Sequence, residues 1–425
     1  MSQYRALLNS YNSVVMPIWC FHLNSYNAGT IMAISEKMRN FAEKSSWIRK
    51  MFEEGAKLKA KHGEENVYDF SLGNPDLPPP QEFDEVLQSV AQDTRKGAHA
   101  YMPNGGYTWV KEAVADRIAG EQGVDVRGGD MLMTCGAAGA LNVVLKTLLN
   151  PGEEVILLAP YFVEYNFYVD NHGGISKIVA TDENFDLDLN AIAEALTEKT
   201  KAIIINSPNN PSGQIYSREK LEGLAQLLEE AGNNYGTSIY LISDEPYRKI
   251  TFDGHSVPSI FKAYDNSIVI SSYSKDLSLP GERIGYLAVH PNIHDKLPLL
   301  DALTLANRIL GFVNAPALMQ KVVAELQDVA VDCSIYENRK KVFCDILKQA
   351  GFSFTEPKGA LYIFPQSPIG DDVKFCAILQ EHMILAVPGR GFGAPGYFRL
   401  SMCTDEKVIR ASAQSFAEAF AAAGA

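Results

Sequence analysis

Cysteine is scarce and scattered in this chain. The six residues Cys20, Cys135, Cys333, Cys344, Cys376 and Cys403 form no C-x-x-C pair, which leaves reduced core thiols of a cytoplasmic protein as the expectation. The eight histidines show no H-E-x-x-H or other paired ligand spacing, so no protein-held metal is expected. No apolar run is long enough to span a bilayer, and no membrane association is expected. Positive charge is in deficit: 51 acidic against 38 basic residues leave a net charge of −13. That excludes a broad basic face for nucleic acid, though not one local basic pocket. Repeats and low-complexity stretches are absent. The first thirty residues lack a compact cationic start followed by a clean apolar stretch, so they do not read as a signal peptide. Patterned sequence begins near Met32 with MAISEKMRNFAEKSS. Residues 1–31 are read as a dispensable N-terminal extension, with Met32 as the natural start.

What is present is ordinary for a globular protein, with 46% hydrophobic and 21% charged residues in 425, ample for two domains. Between about 105 and 300, short apolar runs alternate with amphipathic helical patterns. EVILLAP (154–160), KAIIINSP (201–208), SIYLISDEPY (238–247), SIVISSYS (267–274) and IGYLAVHP (284–291) read as buried strands, and their continuous apolar character suits a parallel sheet covered on both faces. SREKLEGLAQLLEEAG (217–232) reads as a helix with Ser217 as cap and Gly232 as stop. After about 310 the texture changes to long helices (315–328 and 334–350) followed by short strand and helix patterns. The expected fold is α/β: a large domain (76–309) with a mostly parallel central sheet flanked by helices, plus a smaller α+β domain. The smaller domain takes residues 310–425 and is completed by 32–75, with a helix near 34–62. Ligands then belong at the carboxyl ends of the strands and in the interdomain cleft.

Several polar groups gather at those strand ends. In NSPNNPSG (206–213), Pro211 and Gly213 force a turn that leaves Asn210 as an amide donor, although an ordinary turn asparagine reads the same way. Asp244 closes an apolar strand in SDEPY, an expensive place for a carboxylate without a partner; a helix cap is the plainer account. Tyr247, three residues on, faces the same cleft or simply packs. In SSYSKDLSLPGERIGY (271–286), Ser272 and Ser274 lie on one side of an extended segment. Lys275, read at the end of a buried strand, offers a nucleophilic amine. Arg283 offers a planar fork for phosphate between Gly281 and Gly285, which permit close approach. The competing account of that stretch is a surface lysine and a structural ion pair. CGAAGALNVVLKTLL (135–149) turns from small residues into a helix whose first amides, at Ala137 and Ala138, form a phosphate cradle. A dinucleotide site wants G-x-G-x-x-G, and here there is only G-x-x-G. Together these features suit one ligand, an aromatic aldehyde carrying a phosphate, a ring nitrogen and a phenolic oxygen: pyridoxal 5′-phosphate.

The ordered set G-A-A-G-A-L, A-P-Y-F, N-x-P-x-N-P-S-G, S-D-E-P-Y, S-x-S-K-x(7)-R-x-G and Y-F-R-L-S resembles the class I/II aminotransferases of pyridoxal-phosphate fold type I, from about residue 34 to the end. The resemblance implies that Lys275 forms the Schiff base with the cofactor and that Asp244 pairs with its ring nitrogen. Tyr247 and Asn210 then donate to the ring oxygen, and Phe162 stacks on the ring. Ser272, Ser274, Arg283 and the amides of Ala137 and Ala138 hold the phosphate. It further implies that Tyr101 reaches the phosphate of a neighbouring subunit in a homodimer with shared active sites, that Arg399 grips the substrate α-carboxylate, and that Gly73 lines the substrate site. The implied activity is transfer of an amino group from an L-amino acid to a 2-oxo acid, with 2-oxoglutarate as acceptor, in ping-pong order with Lys275 as the general base. The same residue set serves carbon–sulfur lyases and aminocyclopropane-carboxylate synthases. A non-catalytic sensor is a third reading, disfavoured because no DNA-binding helix-turn-helix precedes the domain. No second arginine is placed against a distal carboxylate, so aspartate, aromatic, alanine or broad-range donors stay open.

Overall fold

The computed structural model describes residues 33–44 and 46–424. The expectations for residues 1–31, for Met32 as the start, and for Cys20 lie outside the described residues. A helix at Glu36–Lys44 belongs to one unit of the chain, and residues 51–425 form a second, compact unit. The helical pattern near 34–62 is divided between two helices, Glu36–Lys44 and Ser46–His62.

A seven-stranded sheet organises the second unit. Its strands are β1 (Met131–Thr134), β2 (Glu154–Ala159), β3 (Ile175–Ala180), β4 (Thr200–Asn206), β5 (Tyr240–Asp244), β6 (Ser267–Ser272) and β7 (Gly285–Val289). The order across the sheet is β1-β7-β6-β5-β4-β2-β3. β7 runs antiparallel to both its neighbours, and the other pairings are parallel. The fold is the expected α/β one. β2, β5, β6 and β7 lie within the apolar runs read as strands, and β4 begins one residue before its run. β1 and β3 have no such run, and they form the two edges. β3 has only one fully buried position, Val179, so it carries no continuous apolar signal. β1 is buried throughout but only four residues long.

One apolar cluster lies on each face of this sheet. Ile203, Ile205, Leu241 and Val269 point to one; Ile204, Ile242, Ile268 and Ile270 point to the other, as the two-residue period of a strand requires. The helix after β4 runs from Arg218 to Tyr235. Ser217 caps it by accepting from the Lys220 amide, as expected, but the stop is Gly236, in the left-handed conformation, and not Gly232. Gly232 lies inside the helix, where a methyl group would come within 2.8 Å of the Thr237 carbonyl oxygen.

A second apolar core gathers Phe70 with Phe343, Phe352, Phe375, Phe398 and Phe416. Their rings meet mostly edge to face or tilted, at centroid separations of 4.7–6.0 Å, the preferred geometry for buried aromatics. It is built by the helices Cys333–Ala350, Asp372–Glu381 and Ala413–Ala422 and a small antiparallel sheet of Tyr362–Ile363, Val387–Pro388 and Phe398–Ser401. Tyr68–Asp69 pairs in parallel with Ile384–Leu385, so residues before the large sheet join elements that follow it. Of the helix expected over 315–328, only Ala317–Ala324 is α-helical.

Candidate active site

The site lies where the strand register lines up the carboxyl ends. Asn206 of β4 is level with Asp244 of β5, and Ser272 of β6 is opposite Gly285. Thr134, at the end of β1, is also opposite Gly285, which brings the following helix, Gly136–Leu148, to the same rim.

Asp244 is 6% exposed. Its Oδ2 accepts a 2.6 Å hydrogen bond from the Tyr165 hydroxyl, while its Oδ1 has no partner. Burial pushes its carboxyl up to about 7, against the opposing pull of the Tyr165 hydrogen bond. Among the described residues no cation pairs with it, so the expected costly carboxylate is present and only half satisfied. Asn206 ties this end of the site together. It donates through Nδ2 to the Asp244 backbone carbonyl at 2.7 Å and accepts through Oδ1 from the Asn210 amide at 2.7 Å.

Lys275 does not sit in a strand. β6 stops at Ser272, and residues 273–276 form a turn, so Ser274 is not on an extended segment as the sequence suggested. The turn is closed by the Tyr273 carbonyl, which accepts from the Leu279 amide. Lys275 is half-buried. Its Nζ donates to the Gly73 carbonyl at 2.8 Å and lies 5.8 Å from the centre of the Tyr247 ring. Tyr247 is buried, with its hydroxyl 3.1 Å from that of Tyr362; burial and then the Tyr362 phenol push it well above the ordinary tyrosine range.

Arg399 is buried and held in a fixed plane. Nη1 donates to Asn210 Oδ1 at 3.1 Å and Nη2 to the Ser71 carbonyl at 2.8 Å, while Nε is buried without a partner. The rings of Tyr362 and Phe392 flank it at 4.5 and 4.8 Å. Gly73 packs so tightly that a methyl group there would lie 2.0 Å from the Tyr362 hydroxyl oxygen.

At the other end, the helix Gly136–Leu148 begins after Cys135 with no side-chain cap, so the first amides, including those of Ala137 and Ala138, are left to another acceptor. The Arg283 guanidinium reaches this point: a methyl group on Gly136 would lie 2.8 Å from its Nη2. Arg283 itself is exposed and donates through Nη1 to the Pro280 carbonyl. Of the two glycines beside it, only Gly285 is closely approached, by the Ser271 carbonyl and by Gly136; Gly281 faces open space. Ser272 and Ser274 are buried beside this end. Phe162 is half-buried and meets Tyr165 edge-on at 5.7 Å. Tyr101 is 90% exposed.

The sequence reading missed Tyr165, Asn206, Ser71 and Tyr362. Asn206 could have been found, since it opens the NSPNNPSG stretch at a strand end; an aromatic residue in a helix or strand gives no such signal.

Residues 65–416 match the model of the aminotransferase class I and II family. The chain belongs to the class I and II aminotransferases. It is 34% identical to aspartate aminotransferase of Thermotoga maritima over 364 residues, which covers 84% of this chain and 92% of that one. A crystal structure of an amino transferase from Eubacterium rectale superposes with a TM-score of 0.90 at 38% identity, covering 93% of this chain and all of the other. Aspartate aminotransferase from Thermus thermophilus with maleate superposes with a TM-score of 0.78 at 28% identity, covering 87% and 96%. This protein is therefore a transaminase, and its mostly parallel central sheet flanked by helices matches those structures. No helix among the described residues of this aminotransferase is long and apolar enough to cross a membrane.

Proposed function

We propose that this aminotransferase works with pyridoxal 5′-phosphate and moves the amino group of an L-amino acid to a 2-oxo acid, in ping-pong order. The observation that carries the reading is the buried Asp244 carboxyl, whose Oδ1 lacks a donor. The cofactor's protonated ring nitrogen is a donor suited to that oxygen. The other residues fit the same group. The uncapped helix start at Gly136, with Arg283 beside it, suits the phosphate, and the Tyr247 hydroxyl with the Asn210 side-chain amide suits the ring oxygen. When bound, the cofactor supplies an electron sink for the bonding electrons of the substrate Cα–H.

The protein's own groups do the rest. Arg399 presents Nε, unpaired and buried, to a carboxylate and fixes its orientation. The Lys275 amine, between Gly73 and Tyr247, would take a proton from Cα and deliver it across the intervening nitrogen to the cofactor carbon that carried the aldehyde. Asp244 keeps the proton on its side of the ring. The bound dicarboxylate of the Thermus structure supports 2-oxoglutarate as an acceptor, and the name of the Thermotoga relative makes L-aspartate the first donor to test. The exposed Tyr101 ring supports the homodimer in which each subunit contributes to its neighbour's site. The free thiols among the described cysteines support a cytoplasmic location. The division into domains at 76–309 and 310–425 is part of the same proposal.

The test is the visible spectrum of protein loaded with pyridoxal phosphate. Its yellow band should shift to the near-ultraviolet on adding an amino acid and return with 2-oxoglutarate. In Lys275→Ala, cofactor still binds but turnover is lost. Release of ammonia and pyruvate instead would establish the lyase reading, a band indifferent to amino acids the sensor, and a Lys275→Ala variant of normal rate would remove Lys275 from its role.

A further inference from the structure

Tyr362 is not among the residues that the resemblance assigns to the site, yet it touches three that are. It is 2% exposed. Its strand pairs Tyr362 with Ser401 and Ile363 with Leu400, which sets Tyr362 diagonal to Arg399 on one face of the sheet. The Arg399 guanidinium lies on its ring at 4.5 Å, its ring meets that of Tyr247 edge-on at 81°, and its hydroxyl is 3.1 Å from the Tyr247 hydroxyl. Gly73, the acceptor for Lys275, packs against that same hydroxyl. The ring therefore has one place to sit.

A phenol has one proton and can accept as well as donate. In the Tyr247–Tyr362 pair either oxygen can be the donor. Tyr362 has no other hydrogen-bond partner among the described residues. Once the Tyr247 proton is directed to a ring oxygen of the cofactor, only the Tyr362 proton remains for the contact between the two hydroxyls. The chain then runs in one direction, from Tyr362 to Tyr247 to the ring oxygen, and a bond donated into the Tyr247 oxygen makes its own proton a stronger donor. The titratable and charged groups facing the pair are Arg399, Cys403, Lys275 and Tyr165. Among the described residues, none of these groups hydrogen-bonds to either hydroxyl to do the same work.

We propose that Tyr362 is a positioning residue that orders the Tyr247 hydroxyl, so that its proton points at the cofactor's ring oxygen and is strengthened as a donor. This rests on the pyridoxal phosphate reading above. A hydroxyl that donates to the ring oxygen favours its anionic form, so losing part of that donation raises the pKa at which the cofactor–lysine chromophore changes colour.

The experiment is a pH titration of the visible band in the loaded wild type, Tyr362→Phe, Tyr247→Phe and the double variant. Failure of the wild type to develop a visible band with pyridoxal phosphate would overturn the cofactor reading and this inference with it. Given a band, Tyr362→Phe should raise the chromophore pKa by about half a unit, the size of a fraction of one hydrogen bond. In the Tyr247→Phe background the same change should have no further effect, because Tyr362 acts through Tyr247. An unmoved pKa in Tyr362→Phe would overturn the inference, and so would a shift of equal size in both backgrounds. The Phe substitution keeps the ring under Arg399, so folding is preserved; if it were not, Tyr362→His, which keeps a ring and a donor, should restore the wild-type pKa direction, and failure to do so would count against the proposal.

Discussion

Replacing Asp244 with asparagine should make the cofactor-free protein more stable while destroying its activity. In the folded chain the Asp244 carboxyl titrates at about 7 against an ordinary 3.8, and burial is the leading cause. The difference is about 3 units, and each unit corresponds to about 1.36 kcal/mol. Ionised Asp244 therefore costs the folded state about 4 kcal/mol. The sign follows from proton binding. Below pH 3.8 the group is protonated whether the chain is folded or not, and nothing is lost. Between about 4 and 7 the unfolded chain releases the proton and the folded chain keeps it, so stability falls as pH rises, and the loss levels off above about 7. Asparagine removes this term but leaves an amide hydrogen in place of the unpaired Oδ1, which costs about 1–3 kcal/mol. The net gain at pH 8 is about 1–3 kcal/mol, and near pH 4, where the ionisation term is gone and the amide cost remains, the variant should be less stable than wild type by about 1–3 kcal/mol. Urea unfolding of both proteins, free of cofactor, at pH 8 and pH 4.5 measures it. A variant less stable than wild type at pH 8, or one with the same pH dependence, would refute the reasoning. The same substitution should weaken the loaded enzyme, whose ring nitrogen would lose its acceptor.

Two further substitutions probe the substrate side. Arg399→Lys loses the planar fork that reaches Asn210 and Ser71 and should raise KM for the amino acid and the 2-oxo acid together, about 10–100-fold; steady-state kinetics with both substrates checks it, and unchanged KM values would remove Arg399 from carboxylate binding. Gly73→Ala places a methyl group 2.0 Å from the Tyr362 hydroxyl oxygen. It should cost about 1–3 kcal/mol in urea unfolding and lower activity by displacing the Lys275 acceptor; wild-type stability would show that the loop gives way freely.

Much of the site was legible because its chemistry is local in the chain. Asp244 at the end of an apolar strand, Lys275 after paired serines and the small residues opening the helix at Gly136 each announce an unusual cost or an unusual freedom within a few positions. The strand pattern was legible in the longer strands buried on both faces, as in β4, β5 and β6, but not in β1, which is buried throughout and only four residues long. It failed at β3, an edge strand with most positions partly open, and at the helix stop, where Gly232 serves a close contact and Gly236 makes the turn.

By itself, then, the sequence determined the class of fold and the family and marked the groups proposed to react, because periodicity and residue chemistry act over short stretches. Only the tertiary structure decided the company those groups keep. Tyr165 meets Asp244 across 79 positions and Tyr362 meets Tyr247 across 115. Hydrogen-bond order, the unpaired oxygen of Asp244 and the clamped plane of Arg399 depend on which surfaces are brought together and closed to water, and distance along the chain carries no record of that.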